Sequence, residues 1–375
     1  MPSASLPTRR DALRLLLGTS AMSALGLAAS GCSAGESGAR GGSGRLRIAL
    51  ANSYIGNSWR IEMENLWKSA LRMEPYASQV DGPIYNSNNN LRDQSQQLAA
   101  LISLGVDAIC IDAASPTALN GMVEQASARG ILVVSFDNTV TAPSALSVNT
   151  DQLEFGRQGA AYLAQLIGGR GNIIMVTGVP GTTVDADRNQ GAEEVWRRYP
   201  GITVVNRFTG MWDSSVAQKN TAAVIASLPR IDGVWAQGGT DGVLKAFQAA
   251  GRPLPATVGE SENGFRKYLV GMPDYPKVRG LSLAQPPYLS VVALELARQI
   301  LRRESPRRNV VIPLPTVTDQ NVRLGETVFP SVPDNFFTGI TDPSPNPVVT
   351  MCLDAARTGA PCGPTLTVRL PEPRP

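Results

Sequence analysis

Gly105-Val-Asp-Ala-Ile-Cys-Ile-Asp112 is an apolar run that ends on a polar residue, and its reading decides the fold. The same phrase recurs along the chain as Ile48-Ala-Leu-Ala-Asn-Ser53, Ile131-Leu-Val-Val-Ser-Phe-Asp137, Ile173-Ile-Met-Val-Thr-Gly178, Val234-Trp-Ala-Gln-Gly238 and Leu281-Ser-Leu-Ala-Gln285. An apolar run suits a parallel strand whose sheet is covered by helices on both faces. The polar residue falls where the strand ends, and open α/β sheets bind ligands at the carboxyl ends of their strands. The pattern points to a site assembled from many strand ends, and to binding.

Working outward, helical spacing fills the gaps. Trp59, Met63, Leu66, Trp67, Ala70 and Leu71 mark a helix over 57–74. A strand at 79–85 follows, then a helix at 89–104, the strand 107–111, a helix at 116–129 opened by Pro116, and the strand 131–136. A second round runs as helix 151–168, strand 172–177, helix 183–199, strand 202–208, helix 213–227, strand 233–236, helix 240–250, strand 256–259, helix 262–271, strand 279–284 and helix 286–303. Repeated βα units with short connections predict parallel sheets with right-handed crossovers, here in two similarly built lobes. From about 313 the chain is rich in proline (Pro313, Pro315, Pro330, Pro333, Pro343, Pro345, Pro347) and reads as an extended wrap with little regular structure, anchored by Phe336-Phe337.

The amino-terminal end sets the compartment. Thr8-Arg9-Arg10-Asp11-Ala12-Leu13-Arg14 precedes an apolar stretch from Leu15 to Ala29 that is short for a bilayer span, so residues 1–31 read as a signal peptide. Arg9-Arg10 fits either a twin-arginine signal or an ordinary basic n-region. Ser30-Gly31-Cys32 resembles a bacterial lipobox, with Ala29 where a leucine is usual. Cys32 would carry the lipid, and residues 32–44 would form a Gly/Ser-rich tether reaching roughly 20 Å. That places the protein outside the cytoplasm, periplasmic or at the cell surface, held to a membrane by its lipid.

A body of about 330 residues suffices for two domains. A net charge of +3 is too small to argue for nucleic acid. The chain has no histidine, which removes the commonest general base and the commonest metal ligand together. Walker A, G-x-G-x-x-G, G-x-S-x-G and paired C-x-x-C sequences are also missing. The expectation is a non-enzyme with no cofactor and no metal. Cys110 lies inside an apolar run and reads as a small buried hydrophobe. Cys352 and Cys362 enclose a short Gly/Pro-containing loop, so a local disulfide is expected after export.

Over 45–305 the chain resembles the periplasmic sugar-binding proteins of ABC importers, of the ribose and galactose type. The resemblance rests on Gly105-Val-Asp-Ala-Ile with Asp112-Ala-Ala-Ser-Pro, on Ala128-Arg-Gly-Ile-Leu-Val-Val-Ser-Phe-Asp137, and on Val148-Asn-Thr-Asp151 with Gly156 and Gly159. Gly178-Val-Pro-Gly181 with Arg188 and Gly191, Ala236-Gln-Gly-Gly-Thr-Asp-Gly242, and Ala284-Gln285 complete it. It implies two Rossmann-like lobes with parallel sheets, joined by a hinge, with the ligand in the cleft (the type I periplasmic binding protein fold). The amino-terminal lobe would comprise 45–149 plus 286–306, the carboxyl-terminal lobe 150–285 plus 307–317, and a Pro-rich extension 318–375. The crossings would fall near 149–152, Gln285 and 306–312.

The resemblance also implies a site. Trp59 and Trp212 match stacking positions, one from each lobe. Aromatic rings suit the C–H faces of a sugar, and charged or amide groups suit its hydroxyls. The alternative for both is core packing. Arg188 matches a ligand-binding arginine, its fork of donors suited to ring and hydroxyl oxygens. Asp137, Asp112, Ser53, Asn57 and Gln285 match further binding positions, and each could instead serve as a cap or hinge hydrogen bond. The chain departs from the family pattern at four places. Asn138 replaces a second arginine, Gly238 an asparagine (with Asp241 nearby), Glu260-Ser261 a late aspartate, and Arg60 an aromatic.

The resulting expectation is the substrate-binding lipoprotein of an ABC transporter. It would act as a monomer, take a monosaccharide, polyol or cyclitol, and deliver it to the permease transmembrane subunits by hinge closure. The alternatives are a receptor feeding a chemosensor, the core of a sugar-responsive transcription regulator, which the export signal disfavours, and an enzyme on a Rossmann-like lobe. Replacement Cys32→Ser is expected to move the protein from the membrane fraction to the soluble fraction of an export-competent host. Fractionation followed by immunoblotting checks this, and an unchanged membrane pool would refute the anchor.

Overall fold

Two separate sheets organise the chain in the computed structural model, which describes residues 44–342 apart from 305 and 307, and residues 348–370. The expected signal segment, Cys32, the tether through 43, and Pro343, Pro345 and Pro347 lie outside the described residues.

The first sheet runs, in spatial order, Asn309–Ile312, Leu146–Thr150, Leu132–Phe136, Ala108–Asp112, Leu46–Asn52 and Val80–Asp81, with Ile84–Asn86 also pairing with Leu46–Asn52. Every pair is parallel. The central strands are mostly apolar and buried, with Leu132 half-buried, as a doubly covered sheet requires. Cys110 is one of these buried strand residues. The single strand expected at 79–85 is broken at Gly82-Pro83 into two short pieces, because proline has no N–H to give to a ladder.

The second sheet runs Thr316–Thr318, Gly280–Leu283, Ala256–Gly259, Gly233–Ala236, Arg170–Thr177 and Gly201–Thr209. It is parallel except for its edge strand Thr316–Thr318. Helix Leu289–Leu301 returns to the first lobe, where Leu289, Val292 and Leu296 join the core under the first sheet.

Three further details differ from the sequence reading. The third crossing is at 313–315, not 306–312, because Asn309–Ile312 pairs with Leu146–Thr150 in the first sheet. Pro313 and Pro315 stop that ladder, and the chain re-pairs antiparallel in the second sheet. Helix Asn120–Ala128 begins later than Pro116, whose carbonyl instead accepts from the Thr141 N–H in a turn. The extension is less irregular than expected. It holds a 3-10 turn Thr338–Thr341, helix Leu353–Thr358 and the antiparallel pair Val348–Val349 with Val368–Arg369. Cys352 and Cys362 form a disulfide with Cα atoms 5.7 Å apart.

Helices Gln152–Leu166 and Thr183–Trp196 cross at two glycines. A Cβ on Gly156 would lie 2.1 Å from the Arg188 carbonyl oxygen, and one on Gly191 would lie 2.0 Å from that of Leu153. This close approach sets where Arg188 leaves its helix. Replacing Gly156 with alanine gains about 1 kcal/mol of helix propensity. The clash is with backbone, which no rotamer change can relieve. Gly156→Ala is therefore expected to destabilise by about 1–3 kcal/mol net, read as a lowered urea midpoint.

Candidate ligand-binding site

The carboxyl ends of both sheets face one another, and the residues that follow the strands meet there. A cavity between them is lined by Asn57, Trp59, Arg60 and Asp137 from the first lobe, and by Val184, Arg188, Trp212, Gln237, Gly238 and Glu260 from the second. Gln285 at the hinge and Phe337 of the extension complete the wall.

Gln285 fixes the hinge. Its side-chain nitrogen donates to Asp137 Oδ1 (2.8 Å) and Asn149 Oδ1 (3.1 Å). Its side-chain oxygen accepts from Thr150 Oγ1 and from Gln152 Nε2 (2.9 Å). Its backbone N–H donates to Glu260 Oε1 at 2.8 Å, and its carbonyl accepts from Trp59 Nε1 at 2.6 Å.

Each lobe contributes one buried arginine. Arg60 pairs with Asp112 and with Asp137 Oδ2 (3.3 Å), and its Nη1 also donates to Asn52 Oδ1 (2.6 Å) and Ser53 Oγ (3.3 Å). Arg188 pairs with Glu260 (3.0 Å) and donates to Gln152 Oε1 (2.8 Å) and the Gln237 carbonyl (3.0 Å). Its guanidinium lies 3.7 Å from the centre of the Phe155 ring. Burial pushes the Asp112 carboxyl well above its usual range against the opposing pull of Arg60, and the Asp137 charge adds to the rise. Burial likewise raises Glu260, with Arg188 opposing it.

Trp212 and Asp137 both hold left-handed backbone, at φ +54° and +53°. That region is uncommon for residues other than glycine, and for a bulky tryptophan it is strained. The Trp212 ring rests on Gly178, where a Cβ would come within 2.2 Å of it, and its Nε1 donates to Gln237 Oε1 (3.2 Å).

The structure thus gathers Asn57, Trp59, Asp137, Arg188, Trp212, Gly238, Glu260 and Gln285 around one cavity. Asn57 is also the cap of helix Ser58–Ala70. Ser53 and Asp112 stand behind Arg60. Asn138 lies beside the cavity, donating to Asp137 Oδ2 (2.9 Å) and Asp112 Oδ1 (3.3 Å). Asp241 is not brought to the cavity. It sits in the first turn of helix Thr240–Ala249 and accepts from Ser214 Oγ and from Lys245 Nζ (2.8 Å). Arg60, Gln237, Val184 and Phe337 were not among the sequence candidates. Gln237 could have been found, since it is the first polar residue after its apolar run, as Gln285 is.

The lobes touch across the cleft. The Val184 N–H donates to Asn138 Oδ1 (3.5 Å), and the Thr139 N–H to Thr183 Oγ1 (3.2 Å). The central cavity lies beside these contacts, with Val184 in its wall. A second cavity of about 320 Å³ adjoins it and shares Asn57, Arg60 and Trp212. This conformation is closed. Among the described residues, no group of three acidic, cysteine or histidine side chains could hold a metal ion.

Residues 48–305 match the periplasmic binding protein domain, and the chain belongs to that family. Relatives and solved structures narrow the likeness. The chain is 28% identical over 308 residues to a xylitol-binding protein of Mycolicibacterium smegmatis, covering 80% of this chain and 85% of that protein. It is 23% identical over 276 residues to the ribose import binding protein RbsB of Bacillus subtilis, covering 73% and 87%. An ABC transporter solute binding protein from Thermobispora bispora superposes with a TM-score of 0.65 at 30% identity, covering 72% of this chain and 84% of that one. One from Bacillus halodurans with bound myo-inositol shares the fold, with a TM-score of 0.67 at 21% identity, covering 75% and 97%.

Below the cleft floor lies Glu262, buried, with Oε1 accepting from the Gly239 N–H. Burial, reinforced by the charges of Asp241 and Glu260, pushes it from 4.5 up to about 8. The folded protein therefore keeps a proton that the unfolded chain gives up at lower pH. This group's contribution to stability is full below its unfolded value of 4.5 and is lost as pH rises to about 8. Urea unfolding of the Glu262→Gln variant across that window is expected to show a flatter decline of stability with pH than the parent. Parallel profiles would contradict the assignment.

Proposed function

We propose that this protein is the ligand-capturing subunit of an ABC importer, exported and lipid-anchored through Cys32. It takes a neutral polyhydroxylated molecule, a monosaccharide or a polyol, in the interlobe cleft and presents it to a membrane permease by hinge closure. The observation that carries the reading is the state of the two buried arginines. Each already has a carboxylate partner, so the cleft offers charge-assisted hydrogen bonds to hydroxyls without an unpaired charge for an ionic ligand. Two tryptophans, one from each lobe, supply the apolar faces. Proposed ligand contacts are Asn57, Trp59, Asp137, Arg188, Trp212, Glu260 and Gln285, with Arg60 and Gln237 added.

Two relatives named for xylitol and for ribose support this ligand class. Binding is favoured over catalysis because the chain has no histidine and the cleft carboxylates are committed to arginines and hinge amides. Among the described residues no helix is long and apolar enough to cross a membrane. In the closed conformation the lobes are bonded to one another beside the central cavity. Entry therefore requires the lobes to part, and closure is driven by contacts the ligand makes only when they meet.

Thermal-shift screening of the body against xylitol, D-ribose and myo-inositol is expected to give at least one clear rise in melting temperature. With that ligand, Arg188→Ala leaves hydroxyl oxygens unpaired and should cost about 1–3 kcal/mol of binding. Trp212→Ala should also weaken binding, and calorimetry reads both. Unchanged affinity in both variants would sink the site. Loss of the unliganded fold in both would favour core packing.

A further inference from the structure

Phe337 lies outside the stretch that matches the family, yet its side chain is buried in the cleft wall. It is held from both lobes at once. Its backbone N–H donates to Glu62 Oε1 at 2.9 Å, on the helix that carries Trp59. On either side of it, the Phe336 carbonyl accepts from the Asn263 N–H (2.7 Å) and the Thr338 N–H donates to the Ser261 carbonyl (2.9 Å), both on the second lobe.

The flanking chain is equally fixed. Asn263 Nδ2 donates to the carbonyls of Phe329 (2.8 Å) and Val332 (2.7 Å). Arg266 and Asp342 form a fully buried double pair, at 2.7 and 2.6 Å. Beyond the undescribed stretch, helix Leu353–Thr358 and its flanks dock on the first lobe. Asn65 Nδ2 donates to the Ala356 carbonyl, and Ser69 Oγ to that of Ala360, each at 2.8 Å. The extension is thus a fourth connection between the lobes. Phe336 and Ile340 pack into the first-lobe core while the backbone between them bonds to the second lobe.

We propose that Phe337 is a specificity-determining wall of the ligand cleft, supplied by this strap, with the strap setting how closely the ring can approach the bound molecule. The inference rests on the sugar or polyol reading above. An aromatic ring fixed by backbone bonds on both sides covers an apolar C–H face of defined shape, so it discriminates between flat rings and extended chains.

The test measures calorimetric affinities of the full-length protein for xylitol, D-ribose and myo-inositol in the parent, Phe337→Ala, Phe336→Ala and Arg188→Ala. Phe336 is buried in the same strap but does not line the cleft, so it reports structural loosening alone. Expected are a loss of at least tenfold for the tightest probe in Phe337→Ala together with a changed ranking of the three, and an unchanged ranking in Phe336→Ala. If Phe337→Ala does not fold, Phe337→Leu carries the same readout, because it keeps bulk and removes the aromatic face. Unchanged affinity and ranking in the Phe337 variant, or the same changes in Phe336→Ala, would overturn the proposal. If Arg188→Ala alone loses binding, the cleft stands and the role of Phe337 falls. If all variants bind as the parent does, or no probe binds the parent, the cleft reading itself falls and takes this inference with it.

Discussion

Every polar atom of Gln285 is used, and the arrangement of the cleft depends on that. One buried amide side chain reaches Asp137 and Asn149 on one side and Thr150 and Gln152 on the other, while its backbone holds Glu260 and Trp59. A buried network of this kind is favourable only when all its members are satisfied, because any orphaned group costs about 1–3 kcal/mol. Moving Gln285 would therefore disturb the acceptor that orients Arg60, the carboxylate that pairs with Arg188, and the indole that lines the first-lobe wall. The site is a single network with its centre at the hinge.

The two arginines share a design but not a setting. Arg188 has aromatic packing beneath it and one carboxylate, and its position follows from a helix crossing that only glycines permit. Arg60 rests among Asp112, Asp137, Asn52 and Ser53, all at or just past strand ends of the first sheet. Buried pairs of this sort gain little as structural supports, since desolvation offsets most of the attraction. Under the proposed function their use would be to hold donor forks rigid, so that little side-chain ordering remains to be done when a ligand arrives.

The strand phrases made most of this legible. Asp137 and Gln285 could be placed because a parallel strand ends where its apolar run ends, and that end faces the cleft, whereas Glu260 came only from the family resemblance. Asp241 could not be separated from them by sequence, because a residue three beyond Gly238 can face the cleft or enter the first helical turn. Here it enters the helix and meets Ser214 and Lys245. Arg60 registered only as a departure from an expected aromatic, since nothing local shows that its partners Asp112 and Asp137 come from two other strands. Pro313 and Pro315 signalled the end of regular pairing but not which sheet Asn309–Ile312 had joined, because a short edge strand carries little pattern. Phe337 was hidden for a related reason. Its contacts are to residues far away in sequence, and a Pro-rich tail has no periodicity from which to read a facing direction.

The strap sets opposing forces on the closed state. Phe336, Phe337 and Ile340 are buried in the first-lobe cluster while the chain between them is bonded to the second lobe, so the strap keeps apolar surface from water while it ties the lobes together. Against that gain stand two buried carboxyls beside Phe337. Glu62 accepts its N–H and Glu262 pairs with it across a single bridge, and each has a second oxygen with no hydrogen-bond partner. Burial pushes both carboxyls above their usual range. Each unpaired oxygen carries a penalty of about 1–3 kcal/mol, comparable to fully burying one large apolar side chain. Under the proposed function the ligand would supply the preference for the closed form, and moving a pair of states from mostly one to mostly the other takes about 5.5 kcal/mol of differential affinity. A few hydrogen bonds to arginines that are already oriented, with two aromatic faces, lie within that range.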